Sequence, residues 1–444
     1  MNVLVLARLW TLRLPSLLLV GVFLGCPSTG SPGPDAGAPN EGEGEGEGEG
    51  EGEGEGEGEG DPAPARYAAQ RAHSPIPPSV AARWRAFRAS HSERRGTSFA
   101  KVGDSLTAST NYLRCFSGTR FDLAGRPLEQ TRAFFAADDA DVFARDSATA
   151  QVGWFASRPF DGDPAPIDVE LSATNAAYAT LLFGTNDIGN NYLLGYGEDL
   201  FRLVDHLLAS GVIPILSSIP PRDDNADVDA RVPVFSLAVR ALAEARQVPF
   251  VDLEATLRAL PDHGIGADGV HLFGDRRGAC VLDDSGVLAG DNARNLLVLE
   301  ALDRLRRAVD GDSFDAEDAA RAGSGAPDDP IVIDRFPFTD SRNTATSLHD
   351  TIDSYSCAPD LDESGPELHY VLHLDAPRRV QIAVVDPAGV DVDVHYVGAL
   401  QDPGVCLARA DVELSLSLEA GTHYFVLDSY EGAALAGEFL LLVR

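Results

Sequence analysis

The sequence predicts two folded domains: a three-layer α/β/α domain with a parallel sheet, followed by an all-β sandwich. Up to residue 315, short apolar runs suited to strands alternate with longer helical patterns, which is how a parallel sheet covered by helices is built. From residue 331 on, apolar and polar residues alternate in short runs, as in a β-sandwich. Between these regions, residues 316–330 are rich in Ala, Gly, Ser, Asp and Pro, which predicts an exposed linker.

The N-terminal region is predicted to export the chain and to tether it to a membrane. Two arginines precede an apolar run, 17–24, that is too short for an ordinary membrane-spanning helix and ends in Gly25-Cys26. We expect residues 1–25 to be a lipoprotein signal peptide and Cys26 to be lipidated. A simple secretory signal with a fortuitous cysteine is the alternative. Residues 26–65 are predicted to be a disordered tether, because their ten Glu-Gly pairs bury no apolar group.

The α/β/α domain is predicted over residues 66–315. Its candidate strands are 98–102, 141–144, 179–183, 212–217 and 249–253, and its candidate helices are 197–209, 232–246 and 293–309. Ligands bind at the carboxyl ends of the strands in such sheets. Residues that directly follow a strand are therefore the first candidates for a functional site.

Three short motifs fit one hydrolytic site at that edge. Gly103-Asp104-Ser105-Leu106 and Gly184-Thr185-Asn186-Asp187 each begin just after a predicted strand. Asp268-Gly269-Val270-His271 lies in a glycine-rich stretch before the last helix, where a loop can bring an imidazole over the same edge. This placement played no part in finding the motifs, so it supports them independently.

The residues in these motifs supply what acyl transfer needs. Ser105 is the candidate nucleophile, and His271 is the candidate general base that takes its proton and returns it to the leaving alcohol. Asp268, shortly before the histidine, is the candidate partner that fixes the imidazole tautomer. The side-chain amide of Asn186 is a candidate donor to the oxyanion. We predict a Ser-His-Asp triad.

In order and spacing, the motifs resemble the SGNH, or GDSL-type, hydrolase family over roughly residues 94–309. The segment that ends in Ile219-Pro220-Pro221-Arg222 is also typical of that family. The resemblance implies a flavodoxin-like fold for the α/β/α domain and a triad formed by Ser105, His271 and Asp268. It also implies that Asn186 and the Ser105 main-chain amide belong to the oxyanion hole. Gly153 is the candidate for the glycine of the family's second motif, and the main-chain amide of Ala148 is the alternative.

Each motif also has an ordinary structural interpretation. Gly-Asp-Ser-Leu fits a turn, Asn186-Asp187 fits a helix cap or turn, and Asp268-Gly269 fits a turn. All three together, in order and at strand ends, favour the site. Other hydrolase signatures fit worse, because Thr107 breaks the Gly-x-Ser-x-Gly elbow around Ser105 and no His-Glu-x-x-His motif occurs. We predict no metal site and no cofactor.

The formal net charge of −34 belongs partly to the Glu-Gly tract of the tether, which holds ten of the acidic residues. The remaining composition argues against nucleic acid as a partner, because Lys101 is the single lysine and the arginines are mostly dispersed. An acidic surface favours a neutral or cationic substrate over an anionic polymer.

The cysteines fit an exported chain that forms disulfides. If Cys26 is lipidated, four of the five cysteines remain, two in each predicted domain. Of the three possible pairings, the domain seam favours Cys115 with Cys280 and Cys357 with Cys406. The first pair would tie the helix after Ser105 to the segment after His271. Free thiols are the alternative.

The second domain is predicted over residues 331–444, with strands at 369–374, 380–385, 390–396, 412–418, 423–427 and 438–443. Its phrases Asp391-Val392-Asp393, Ala420-Gly421-Thr422-His423-Tyr424 and Gly437-Glu438-Phe439 resemble the bacterial pre-peptidase C-terminal domain family. That resemblance implies a carbohydrate- or surface-binding appendage. We interpret Asp391 and Asp393 as the solvated face of a strand whose valines point inward, in preference to a calcium site.

Taken together, the sequence predicts an exported serine esterase held at the bacterial cell envelope by a lipid anchor. Pro27 after Cys26 is not an aspartate retention signal, which favours the outer membrane or cell surface. The expected substrate is a short O-acyl ester, such as acetate, on a polysaccharide. A lipid-directed esterase (a lipase or lysophospholipase) and a non-catalytic surface-binding lipoprotein are the alternatives. The expected partners are the ester substrate and, through the anchor, a membrane.

Overall fold

The computed structural model of the protein describes residues 64–69, 71–137, 141–400 and 405–444. The predicted signal peptide, Cys26 and nearly all of the predicted tether lie outside the described residues. Within these ranges, no helix combines the length and the apolar character needed to cross a membrane.

The first part of the chain builds a parallel sheet with flanking helices. Its strands are β1 (Arg95–Gly103), β2 (Ala176–Leu182), β3 (Ile213–Ser217) and β4 (Phe250–Val251), hydrogen-bonded in that order and all parallel. Its helices are α1 (Pro78–Ser90), α2 (Ser105–Ala108), α3 (Glu129–Ala136), α4 (Pro166–Thr174), α5 (Leu193–Ala209), α6 (Ala226–Asp229), α7 (Val232–Arg246), α8 (Leu253–Arg258) and α9 (Gly290–Asp310).

Helices cover both faces of this sheet, which confirms the predicted fold class. Helices α1, α3 and α9 pack together in one layer, while α5 and α7 pack against each other and against β3 in the other. Strand β2 is buried along its whole length, as expected for a strand with a helical layer on each face. The carboxyl ends of β1 and β2 lie side by side, with Gly103 opposite Leu182.

One predicted strand, 141–144, is wrong. These residues form a turn in which Asp141 has a φ of +43°. Val142 and Phe143 are nonetheless fully buried, and the Phe143 ring packs against Phe99 and Phe116 with centroids 5.5 and 5.7 Å away. The two apolar side chains fill the core from a turn. Their apolar character therefore reflects burial and not a strand.

The second part of the chain consists of two antiparallel-rich sheets. Its strands are β5 (Ile331–Ile333), β6 (Phe338–Asn343), β7 (Leu368–Leu374), β8 (Arg378–Val385), β9 (Val392–Val397), β10 (Cys406–Ala410), β11 (Glu413–Leu418), β12 (Gly421–Ser429) and β13 (Glu438–Val443). The sheet orders are β10-β9-β12-β7-β5 and β11-β8-β13-β6. All six predicted strands are present. The sequence missed β5, which is short, and β6 and β10, whose polar residues weaken the apolar pattern.

One sheet of the sandwich also packs against the α/β/α domain. On β13, Phe439 and Leu441 face the core of the sandwich, whereas Leu440 and Leu442 join the core of the first domain. Strand β8 alternates in the same way, and its Val385 is fully buried in the first domain's core. The sheet is therefore buried on both faces, and the two domains share an apolar interface.

The segment predicted as an exposed linker, 316–330, is mostly exposed but is anchored to both domains. The Arg321 guanidinium makes ion pairs with Glu244 on α7 and, at 2.9 Å, with Asp340 on β6. Asp318 accepts the main-chain N–H of Arg66 at 2.6 Å. Long-range ion pairs and hydrogen bonds therefore fix this exposed segment to the folded parts of the chain.

Candidate active site

Ser105 stands on a sharp turn from β1 into α2. Asp104 caps the helix by accepting the Leu106 N–H at 2.9 Å. The turn needs a glycine before it, because a Cβ at Gly103 would lie 2.3 Å from the Thr107 hydroxyl oxygen and 2.5 Å from the Leu182 carbonyl oxygen. The serine is left half-buried, at the first position of the helix.

The structure brings Ser105, His271 and Asp268 together in one hydrogen-bonded chain. Ser105 Oγ lies 2.9 Å from His271 Nε2, and His271 Nδ1 lies 2.7 Å from Asp268 Oδ2. Donation of the Nδ1 proton to Asp268 is the tautomer that leaves Nε2 free to accept the serine proton. The side chains of His271 and Asp268 are exposed by 49% and 55%, so the site is open to solvent.

Asp268 is held ionised by hydrogen bonds from its own turn. Its Oδ1 accepts the main-chain N–H groups of His271 and Val270 at 2.9 and 3.0 Å. These bonds, together with the imidazole on the other oxygen, lower the pKa of Asp268 to about 2. A carboxylate that stays charged at neutral pH can orient the imidazole and stabilise the imidazolium.

The loop that carries Asp268 and His271 is fixed by the segment after β3. The Gly269 carbonyl accepts the main-chain N–H groups of Asp223 and Asp224 at 2.8 and 3.2 Å. Gly269 has a φ of +73°, and a Cβ there would lie 2.5 Å from the Asp224 nitrogen. Only glycine fits this contact without a shift of the loop.

Arg222 connects this loop to the segment of Asn186, a role that the sequence did not reveal. Its Nη1 donates to the Thr185 carbonyl at 2.7 Å, directly before Asn186. Its Nε and Nη2 donate to the two carboxylate oxygens of Asp224 at 2.8 and 2.7 Å. Arg222 thus spans the two segments that bring the base and the predicted oxyanion donor to the sheet edge. Its place in the family-like segment 219–222 was the available signal.

We expect Arg222→Ala to lower kcat roughly 10- to 100-fold, since small misplacements of catalytic groups have effects of that size. Arg222→Lys should fall in between, because lysine keeps the charge but not the two-pronged contact. Steady-state kinetics on a soluble ester measures the effect. Arg277→Ala is the matched control, because Arg277 bridges Asp275 and Asp283 on the surface. Equal losses in Arg222→Ala and Arg277→Ala would contradict the positioning role.

Asn186 lies at the end of β2, where Gly184 allows close packing. A Cβ at Gly184, whose φ is +121°, would lie 2.2 Å from Ile219 Cδ1. Asn186 Nδ2 donates to the Trp154 carbonyl at 2.9 Å. An amide nitrogen carries two protons, so this bond orients the side chain and leaves a second N–H for another acceptor.

The main-chain candidates for the oxyanion differ in whether their N–H is already used. The Ala148 N–H donates to Glu170 at 3.0 Å, so it is not free to donate to an oxyanion. The Gly153 N–H makes no hydrogen bond to the described part of the chain, and Gly153 has a φ of +76°. The Ala150 N–H also makes no hydrogen bond to the described part of the chain, and Ala150 forms a β-bridge with Gly103 beside the serine turn. Gly153 stays a prediction, and Ala150 joins it as a candidate.

Two buried carboxyl groups belong to the first two motifs. Burial raises the pKa values of Asp104 and Asp187 to about 6 each. Asp187 Oδ1 accepts the Ala156 N–H at 3.0 Å. Arg294 lies nearby and donates to the Leu106 carbonyl at 2.6 Å, which ties α9 to the serine helix.

The predicted disulfides are present. Cys115 is bonded to Cys280, with Cα atoms 5.8 Å apart, and Cys357 is bonded to Cys406, with Cα atoms 5.2 Å apart. The first joins the segment after Ser105 to the segment after His271. It therefore links these two segments covalently.

The sandwich contains a group of three acidic side chains, and one of them is not solvated as the sequence predicted. Carboxylate oxygens of Asp391, Asp393 and Asp411 lie within 4.8 Å of one another. Asp393 is fully buried and pairs with Arg409. The interpretation of Asp393 as part of a solvated face is therefore wrong. Arg409 partners this buried carboxyl group, while burial and the neighbouring Glu363 raise the pKa of Asp393 to about 8.

Comparison with known proteins agrees with the geometry of the first domain. The model of the GDSL-like Lipase/Acylhydrolase family matches residues 102–273, a range that contains all three motifs. No curated protein matches the chain.

Three solved structures are similar to parts of the chain. An acetylxylan esterase from Geobacillus stearothermophilus is 16% identical with a TM-score of 0.33, over 47% of this chain and 95% of that one. A GDSL-like lipase from Bacteroides thetaiotaomicron is 13% identical with a TM-score of 0.31, over 50% and 98%. The pre-peptidase C-terminal domain of a collagenase from Bacillus anthracis is 13% identical with a TM-score of 0.18, over 24% and 89%.

Proposed function

We propose, on the premise that residues 102–273 are a GDSL-like lipase/acylhydrolase domain, that the protein is a serine esterase that removes short acyl groups from carbohydrate. Membership of that family makes the chain an ester-hydrolysing enzyme. The observation that carries the mechanism is the hydrogen-bonded chain from Ser105 through His271 to Asp268.

The reaction follows from this chain of contacts. Ser105 Oγ attacks the ester carbonyl while its proton moves to His271 Nε2, and the carbonyl oxygen becomes an oxyanion. The free N–H of Asn186 and the Ser105 main-chain amide stabilise that oxyanion, together with an amide from the Ala150 to Gly153 turn. The imidazolium then protonates the leaving alcohol. Water, activated by the same histidine, releases the acid from the acyl-serine.

The openness of the site supports a bulky alcohol such as a polysaccharide. The side chains of His271 and Asp268 are about half exposed, so a large leaving group can approach them. Val152 and Phe273, close in sequence to Gly153 and His271, are exposed by 77% and 40% and offer apolar surface to an acyl chain. Such small surfaces fit a short chain better than a long one, which needs a continuous apolar groove.

A chain-length series tests this proposal. We would measure release of p-nitrophenol from acetyl, butyryl, octanoyl and palmitoyl esters, and release of acetate from acetylated xylan, with Ser105→Ala as the control. We expect the highest kcat/KM on the acetyl ester and acetate release that depends on Ser105. A preference for palmitate would indicate a lipid-directed esterase. No Ser105-dependent turnover in a folded sample would indicate a non-catalytic binding protein.

We also propose that the enzyme is exported and held at the cell envelope through a lipid on Cys26. This proposal is supported by the apolar run before Gly25-Cys26 and by the Glu-Gly tract after it. The mass of the mature N-terminal peptide tests it. A peptide that begins at an unmodified residue after Cys26 would contradict lipidation.

A further inference from the structure

The structure contains a large cavity at the seam between the two domains. Its volume is about 990 Å³, and both domains line it. The first domain contributes residues from the starts of α5 and α7, including Tyr192 and Arg231. The sandwich contributes Arg379 and Gln381 of β8, Ser415 of β11, and Arg444. Neither domain could form this cavity alone.

The cavity is connected to the catalytic edge through a short turn. Asp187–Asn190 form a 3₁₀ turn directly after Asn186, and the next residues, Asn191 and Tyr192, line the cavity. Arg231, also in the lining, donates to the Ile188 carbonyl of this turn at 3.2 Å. The lining of the cavity therefore begins five residues after Asn186, at the far end of this turn.

Strand β8 explains why the cavity forms at this point. Side chains alternate along a strand, so Arg379, Gln381, Ala383 and Val385 point to the same face. Ala383 and Val385 are buried against the first domain. Arg379 is exposed and Gln381 is partly exposed, and both line the cavity. The apolar residues of this face, Ala383 and Val385, pack against the first domain. The polar residues, Arg379 and Gln381, line the cavity instead.

The polar groups of the lining have unused hydrogen-bonding capacity. Within the described part of the chain, the guanidinium groups of Arg379 and Arg444 make no hydrogen bond or ion pair. Arg444 is held beside Gln381 by two main-chain hydrogen bonds of 2.9 Å. Tyr192, exposed by 58%, presents an aromatic ring on the opposite side. Guanidinium, amide and hydroxyl groups facing an exposed ring suit a ligand with many hydroxyls and flat apolar faces.

We propose that this interdomain cavity is a binding subsite for the saccharide chain of the substrate, a proposal that rests on the carbohydrate esterase function above. The ester to be cleaved lies at Ser105, and sugar units further along the chain bind between Tyr192 and strand β8. Hydrogen bonds from Arg379 and Gln381 hold the sugar hydroxyls. The sandwich thus contributes to substrate affinity and takes no part in the bond-breaking step.

Kinetics on a short and a long substrate test the subsite. We would compare the full chain with Arg379→Ala and Gln381→Ala, on p-nitrophenyl acetate and on acetylated xylohexaose. We expect each variant to raise KM for the hexamer several-fold to about tenfold, the size expected for loss of a hydrogen bond to a charged or polar group. Turnover of p-nitrophenyl acetate should stay within about twofold of wild type.

Arg378→Ala is the matched control, because Arg378 is the neighbouring arginine on β8 and stacks on Phe336, outside this cavity. An equal change in KM for Arg378→Ala and Arg379→Ala would overturn the subsite, as would a KM that Arg379→Ala leaves unchanged on both acetylated xylohexaose and acetylated oligogalacturonides. Acetylated oligogalacturonides in a parallel series show whether the arginines select uronic acids or neutral sugars, and a KM effect in either series supports the subsite.

Calorimetric titration of the Ser105→Ala chain with deacetylated xylohexaose and oligogalacturonide separates this proposal from the proposed function. Binding that is weakened by Arg379→Ala supports the subsite even if no ester is turned over. Turnover of p-nitrophenyl acetate without binding of either saccharide would leave the esterase function standing and overturn the subsite.

Discussion

Ser105→Ala and His271→Ala are each expected to lower kcat on p-nitrophenyl acetate by about 10⁴-fold or more, because the two side chains act as one unit in proton transfer and attack. Their hydrogen bond of 2.9 Å places them for that role. For the same reason, the double variant should be no slower than the slower single variant. Stopped assays over hours at high enzyme concentration measure the residual rates, and circular dichroism checks that the fold is intact.

The neighbouring pair His263 and Asp223 provides a matched control. His263 Nδ1 lies 2.8 Å from Asp223 Oδ1, so this pair has the same chemistry as His271 and Asp268 without the serine. We expect His263→Ala to keep kcat within a few-fold of wild type, as most surface substitutions do. A loss in His263→Ala as large as in His271→Ala would show that the assay reports folding and not the triad.

The second large effect concerns the interface between the domains. Val385→Asp on β8 should lower the thermal midpoint by roughly 10 °C. Burying an unpaired carboxylate costs several kcal/mol, and each kcal/mol shifts the midpoint of a domain of about 150–250 residues by roughly 2–4 °C. Val385 is fully buried. It packs so closely against Gly197 on α5 that a Cβ added to this glycine would lie only 1.9 Å from Val385 Cγ1. Differential scanning calorimetry measures the shift.

The same interface predicts that a chain ending at residue 315 is unstable, because Leu440, Leu442 and Val385 would no longer cover α5 and α7. Leu407→Asp is the matched control for the point variant, since Leu407 lies on a sandwich strand but is exposed by 55%. We expect it to change the midpoint by about 1–2 °C at most. A truncated chain with the same midpoint as the full chain would show that the interface contributes nothing to stability.

The parts of the fold that the sequence predicted are those set by local pattern. Helix 232–246 was predicted with the bounds that α7 has, because its apolar spacing and Pro233 near its start are local signals. The strands of the sandwich followed from alternation in the same way. The turn at 141–144 shows the limit of this reasoning, since two buried apolar residues look alike in a strand and in a turn.

The sequence of β13 contains a signal of the interface between the domains that the prediction of a β-sandwich did not use. Residues 439–443 of β13 are apolar without a break, whereas a sandwich strand with one solvated face alternates. An unbroken apolar run indicates burial on both faces. The sequence could therefore have shown that a second surface covers β13, but not which surface, because helix α7, which packs against β13, lies almost two hundred residues away.

The sequence by itself determined the triad motifs, the fold class and the disulfide pairs favoured by the domain seam. Each depends on a few neighbouring residues or on a regular repeat, and such features act over short distances along the chain. Tertiary structure decided which main-chain amides remain free near Ser105, how Arg222 joins two loops, and how the sandwich closes a cavity beside Tyr192. These depend on atoms brought together from distant segments, and their distances are fixed only when the whole core packs.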